Sequence, residues 1–174
     1  YGRQSKYADM FYAVEKTYSD QTITLESLTK FDFLTPIIPM IIFDLGDGSK
    51  RAHFKTFLPF QADLDPLSPL TWEYFEKYVA HLAKHNITMI RLDAVGTIYK
   101  DPDYGMNMTP KTYEILQNLI DLIHGYGMEV LTEIHADRET KRTIIDMGAW
   151  TYDFHLPARI LYALLFHTSS RLEE

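Results

Sequence analysis

Arg91 and Asp93 stand two residues apart at the end of one short apolar run, and Glu133 and His135 stand two apart at the end of another. If both runs are strands, period-2 alternation puts each pair on one face. A guanidinium beside a carboxylate favours the ionised acid, which is the state a nucleophile needs. Glu133 is flanked by the apolar Ile134 and has no cation on its own strand before His135. It is therefore suited to keep a proton, give it to a leaving oxygen and take one back. Neighbouring parallel strands lie about 4.8 Å apart, so two strand-tip carboxylates fall within the roughly 5 to 5.5 Å at which retaining glycoside chemistry places its two acids. The residue types alone leave other readings open. Strand-end acids also cap helices, Arg91 and Asp93 also make an ordinary ion pair, and a single His135 is often a satisfied polar group.

The elements that must hold these side chains follow from hydrophobic periodicity. Trp72, Phe75, Val79, Leu82 and Ala83 recur at helical spacing, and residues 88–92 then form a short apolar strand ending at Asp93. Thr109 and Pro110 supply a cap and a first-turn proline. Tyr113, Leu116, Leu119, Ile120 and Ile123 form one stripe, and Gly125 and Gly127 end that helix. Residues 130–134 predict a buried strand, 139–146 a helix, 150–154 a third strand and 158–166 a last helix. Strands alternating with helices predict an α/β fold with a parallel sheet, either doubly wound and open or part of a (β/α)8 barrel. A whole barrel takes about 250 residues, so on the barrel reading these 174 residues are a middle slice. Both architectures put functional side chains at the carboxyl ends of strands, which is the rule that selects Asp93 and Glu133. Residues 1–69 differ in texture: Pro36, Pro39, Gly46, Gly48, Pro59, Pro66 and Pro69 break short apolar runs, and residues 43–48 predict a strand entering a tight turn.

Composition narrows the partners. The chain is 46% hydrophobic and 24% charged, ordinary for a globular domain, and its net charge of -7 offers no basic stripe to a nucleic acid. A small neutral ligand fits better, and 14% aromatic residues include rings able to stack on sugar faces. With Cys 0 there is no disulfide framework, and a cytoplasmic location is the expectation. No apolar run is long enough for a membrane span, and the first residues do not resemble a secretion signal, although Tyr1 rather than Met opens the chain. No metal and no cofactor are expected, because Asp, Glu and His form no closely spaced ligand set. Nothing in the sequence bears on oligomeric state.

Several linked segments carry a family resemblance. Ile90-Arg91-Leu92-Asp93-Ala94-Val95-Gly96 resembles the nucleophile motif of the α-amylase superfamily (glycoside hydrolase family 13), in wording nearest its sucrose phosphorylase branch, and Leu131-Thr132-Glu133-Ile134-His135 resembles that branch's acid/base strand. Residues 108–112, residues 152–157 and the upstream Arg3 to Phe11 stretch are similar in the same order. The resemblance implies a partial (β/α)8 barrel, about strands 4 to 6, in residues 70–174, with residues 1–69 forming an inserted small domain and the lead-in to the barrel. It implies Asp93 as a nucleophile forming a glucosyl ester and Glu133 as acid/base, with Arg91, His135, Phe57 and Gln61 touching substrate. The donor it implies is sucrose or a related α-glucoside and the acceptor phosphate. Hydrolysis or transfer to another sugar by the same acids is the close rival, and a non-catalytic sugar-binding fragment the distant one. The sequence also departs from the branch. The asparagine-histidine motif after strand 3 and the aspartate after strand 7 have no counterpart in these residues, so this piece alone is expected to be a poor catalyst. Thr97 stands where an aromatic is usual, and a phosphate-holding arginine aligns near Thr35.

Overall fold

A computed structural model describes residues 5, 7–14, 40–44, 50–58, 60–101 and 103–172. Thr35, the turn at Gly46 and Gly48, and Arg3 of the upstream motif lie outside the described residues.

Ser68 in extended geometry and Pro69 in the first turn start helix α1, Pro69–Lys84. Its Val79 is buried, and Trp72, Phe75, Leu82 and Ala83 pack against the main core, which is the stripe expected from periodicity. Strand β3, Met89–Leu92, follows; it is preceded in chain order by strands β1, Met40–Asp44, and β2, Lys50–Phe54. Thr109 caps helix α2, Pro110–Gly125, its side chain accepting a hydrogen bond from the Thr112 amide at 3.3 Å. Gly127, at φ +76, turns the chain after that helix. Strand β4, Glu129–Thr132, helix α3, Arg138–Asp146, strand β5, Trp150–Thr151, and helix α4, Leu156–Phe166, complete the order. The α/β alternation is as expected.

β3, β4 and β5 form a parallel sheet in that order, with Leu92 opposite Thr132 and Thr132 opposite Thr151. Ile115, Leu116, Leu119, Ile120 and Ile123 of α2 pack with Val130, Ile134 and Ile144 into one buried cluster. Thr109 and Thr112 are themselves buried, with their hydroxyls 3.0 Å apart. Thr109→Ala removes the acceptor from the α2 cap, and urea unfolding should register a loss of about 1 kcal/mol. Thr109→Ser should keep most of it.

Two strands stop short of the ends of the apolar runs that encode them. β4 pairs only as far as Thr132 rather than 134, and β5 only over Trp150–Thr151 rather than 150–154. At the third strand the cause is local. The Asp153 carboxylate accepts from the amides of His155 at 3.0 Å and Leu156 at 3.2 Å. That turn starts α4 two residues earlier than the expected 158.

β1 and β2 make a separate antiparallel ribbon, Met40 opposite Phe54. Residues 10–14 run beside it: the Phe54 amide bonds the Tyr12 carbonyl at 2.9 Å, and the Tyr12 amide bonds the Asp63 carbonyl at 2.8 Å. Tyr12, Val14, Phe54 and Met106 form a second small core joined by Tyr99. Among the described residues no helix is long and apolar enough to cross a membrane.

Candidate active site

One step beyond the Leu92 and Thr132 pairing, the Glu133 amide bonds the Leu92 carbonyl at 3.0 Å. Asp93 and Glu133 therefore leave adjacent strands at the same height. Arg91 holds both: Nη1 lies 2.8 Å from Asp93 Oδ1 and Nη2 lies 2.8 Å from Glu133 Oε2. The Ala94 amide also donates to Glu133 Oε2 at 3.3 Å. Ala94 itself sits in the left-handed region at φ +44, a conformation that a residue with a Cβ adopts at a cost of about 1–2 kcal/mol. The kink turns the chain away directly after Asp93.

Hydrogen bonding with Glu133 does most to hold the Asp93 carboxyl below the usual carboxylate range; partial desolvation opposes this, and the hydrogen bond and charge of Arg91 add to the lowering. Desolvation also works against the Arg91 charge, but hydrogen bonds with Tyr152 and Asp93 and the charges of Glu133 and Asp93 outweigh it and raise its pKa. One expectation needs correction. Glu133 does not wait until His135 for a cation, because Arg91 on the neighbouring strand reaches it diagonally. The two acids thus share one guanidinium, and Asp93 is the more exposed of them, 75% against 24% for Glu133.

A cavity of about 380 Å³ opens beside these tips, and Phe57, Gln61, Arg91 and Asp93 are all among its lining residues. Thr97 and Lys100 line it too. Phe57 and Gln61 come from the stretch after β2, so the ribbon side of the chain supplies one wall and the β3 tip another. Neither Glu133 nor His135 is among the lining residues; Glu133 meets the cavity through Arg91. His135 is exposed and stacks on Phe154, ring centroids 4.0 Å apart and planes 12° from parallel.

Tyr152 belongs to the same cluster and was not singled out from sequence. Its amide bonds the Thr132 carbonyl at 3.3 Å, which puts it at the tip of β5 level with Glu133. The Arg91 guanidinium carbon lies 5.8 Å from its ring centroid. The strand-end rule, applied to the third strand as to the first two, would have found it.

No family model matches the chain. Sucrose phosphorylase of Bifidobacterium adolescentis is 31% identical over 163 residues, which is 94% of this chain and 32% of that protein. Glucosylglycerol phosphorylase of Marinobacter adhaerens is 30% identical over 175 residues, 99% of this chain and 35% of that protein. The crystal structure of sucrose 6F-phosphate phosphorylase from Thermoanaerobacter thermosaccharolyticum matches with a TM-score of 0.88 at 29% identity, covering 94% of this chain and 34% of that one. Over nearly its whole length the chain is thus similar to one part of these phosphorylases. The chain spans about a third of the length of the curated relatives it matches. The match extends over both the ribbon region and the parallel sheet, so Phe57, Gln61, Asp93 and Glu133 all fall within the compared length.

Proposed function

We propose that the protein containing this segment is a retaining α-glucosyl phosphorylase, with Asp93 as nucleophile and Glu133 as acid/base. The observation that carries the reading is Arg91 gathering both carboxylates at the tips of adjacent parallel strands, beside a cavity lined by Phe57 and Gln61. An Asp93 oxygen attacks the anomeric carbon of the donor while the bond to the leaving oxygen breaks, and that oxygen takes the proton of Glu133. In the second half a phosphate oxygen attacks the same carbon, the Asp93 ester bond breaks, and Glu133 recovers a proton from the acceptor. Arg91 favours the ionised nucleophile and orients both acids. Phe57 and Gln61 give the sugar an apolar face and a hydrogen-bonding group, and His135 with Phe154 forms an aromatic edge on the Glu133 side.

The fold proposal matches. β3, β4 and β5 are an arc of a (β/α)8 barrel, about strands 4 to 6, and residues 1–69 hold the inserted small domain and the lead-in. Two features support this. Among the described residues β3 and β5 each pair on one side only, and α4 exposes Leu161, Leu164, Leu165 and Phe166 by 57%, 68%, 65% and 63%. Further helices of a closed barrel would cover such a face.

The three relatives named above are all phosphorylases and differ in the glucosyl donor each is named for: sucrose, sucrose 6F-phosphate and glucosylglycerol. Phosphate as acceptor is therefore better supported than any one donor, with sucrose the first to try. The test is product analysis of the full-length protein with sucrose, with and without phosphate. Glucose 1-phosphate formed only with phosphate is the expected outcome. Free glucose at the same rate in both would replace phosphorolysis with hydrolysis, and sugar binding without turnover would leave a binding module.

A further inference from the structure

We infer that the buried ion pair between Asp63 and Lys100 is a positioning device that fixes the Phe57 and Gln61 wall of the cavity against the turn that follows Asp93. The inference rests on the glucosyl-transfer reading for its consequence but not for its geometry.

Lys100 is 2% exposed, and its Nζ lies 2.8 Å from Asp63 Oδ2. A buried ammonium is costly unless paired and hydrogen-bonded. Burial lowers the Lys100 pKa, and the charge and hydrogen bond of Asp63 oppose that. Both partners act on loops that line the cavity. Asp63 Oδ1 accepts from the Thr56 amide at 3.0 Å and Oδ2 from the Thr56 hydroxyl at 2.6 Å, which closes residues 56–63 into a clasp carrying Phe57 and Gln61. Lys100 Nζ also donates to the Thr97 carbonyl at 3.0 Å. Thr97 in turn bonds the Ala94 carbonyl through its amide at 3.1 Å and its hydroxyl at 3.0 Å, and Ala94 is the strained residue next to Asp93. An unbroken chain of contacts thus runs from the clasp to the nucleophile's turn. Tyr12 steadies the far side: its hydroxyl bonds the Lys100 carbonyl at 2.8 Å, and its ring centroid lies 5.5 Å from Nζ.

Neither residue touches the bond that breaks, so both are positioning residues. Loosening the clasp shifts the sugar-contacting wall while the two acids keep their shared arginine. The loss should fall mainly on KM, because binding to the ground state and to the transition state is weakened alike.

The test uses the full-length protein with Lys100→Met, which keeps the apolar stem, and the charge-free double variant D63N/K100M, which leaves no unpaired charge if the single variant fails to fold. Hydrogen exchange at the amides of residues 56–63 should quicken about 10-fold or more while the amides of α2 keep their protection. KM for the α-glucoside should rise about 10- to 100-fold with a smaller change in kcat. Unchanged exchange at residues 56–63 overturns the inference, as does faster exchange with KM unaltered. Faster exchange in a protein that turns over no α-glucoside upholds the tether and removes the catalytic reading instead.

Discussion

Asp93→Asn in the full-length protein is expected to cut glucosyl transfer by ~10⁴-fold or more, a larger loss than the ~10²–10⁴ that a misplaced proton transfer costs, because no covalent route remains. The substitution should leave the fold intact. Asp93 is 75% exposed, and an amide oxygen can still accept from Arg91 Nη1, so the geometry around Glu133 is retained. Hydrogen bonding with Glu133 and the Arg91 charge lower the Asp93 pKa, so the ionised nucleophile is favoured and is lost only as pH falls below the usual carboxylate range. The acidic limb of kcat/KM should accordingly not sit at an ordinary carboxylate value. Two measurements check the role. Initial rates with sucrose and phosphate give the loss, and mass spectrometry after a slow-turnover fluorinated α-glucosyl donor should find one sugar on the peptide holding residue 93. A labelled peptide from elsewhere, or a variant retaining a tenth of the rate, would remove Asp93 as nucleophile.

Much of this site was legible before any coordinates. Period-2 alternation placed Arg91 beside Asp93, the strand-end rule picked Asp93 and Glu133, and the apolar stripe of α2 marked the face that the helix buries. These readings depend on neighbours in sequence, for which spacing is geometry. What escaped depends on register. Arg91 reaches Glu133 only because Leu92 pairs with Thr132, and no pattern within either strand specifies that pairing. Tyr152 joins the cluster for the same reason, and the length of its strand was misjudged because Asp153 offers amides 155 and 156 a closer partner than the sheet does. The Asp63 and Lys100 pair joins two loops of unrelated periodicity. A lysine destined for burial looks, in sequence, like any other.

The shared arginine also bears on the order of events. With Arg91 bound to both, Asp93 and Glu133 are held as a unit on one sheet edge, while Phe57 and Gln61 sit on a loop joined to that edge through the Asp63 and Lys100 pair. On the proposed reading, chemistry and sugar recognition are carried by different elements of the chain.

Glu133→Gln should separate the two carboxylates by the kind of donor that survives. Glutamine keeps an oxygen for the Ala94 amide and for Arg91 Nη2, so the fold and the Asp93 position should hold. What disappears is the proton. Cleavage of sucrose, whose leaving alkoxide is poor without protonation, should slow by ~10²–10⁴-fold. An α-glucosyl fluoride leaves without a proton from Glu133, so its first step should be nearly unaffected. The same variant pair can be read side by side: Asp93→Asn should lose both donors, whereas Glu133→Gln should lose sucrose far more than the fluoride. Equal losses on both donors would mean that Glu133 holds Arg91 in place without moving a proton. The acid/base role would then have to pass to another group at the strand tips, with Tyr152 the nearest to Arg91 on the third strand.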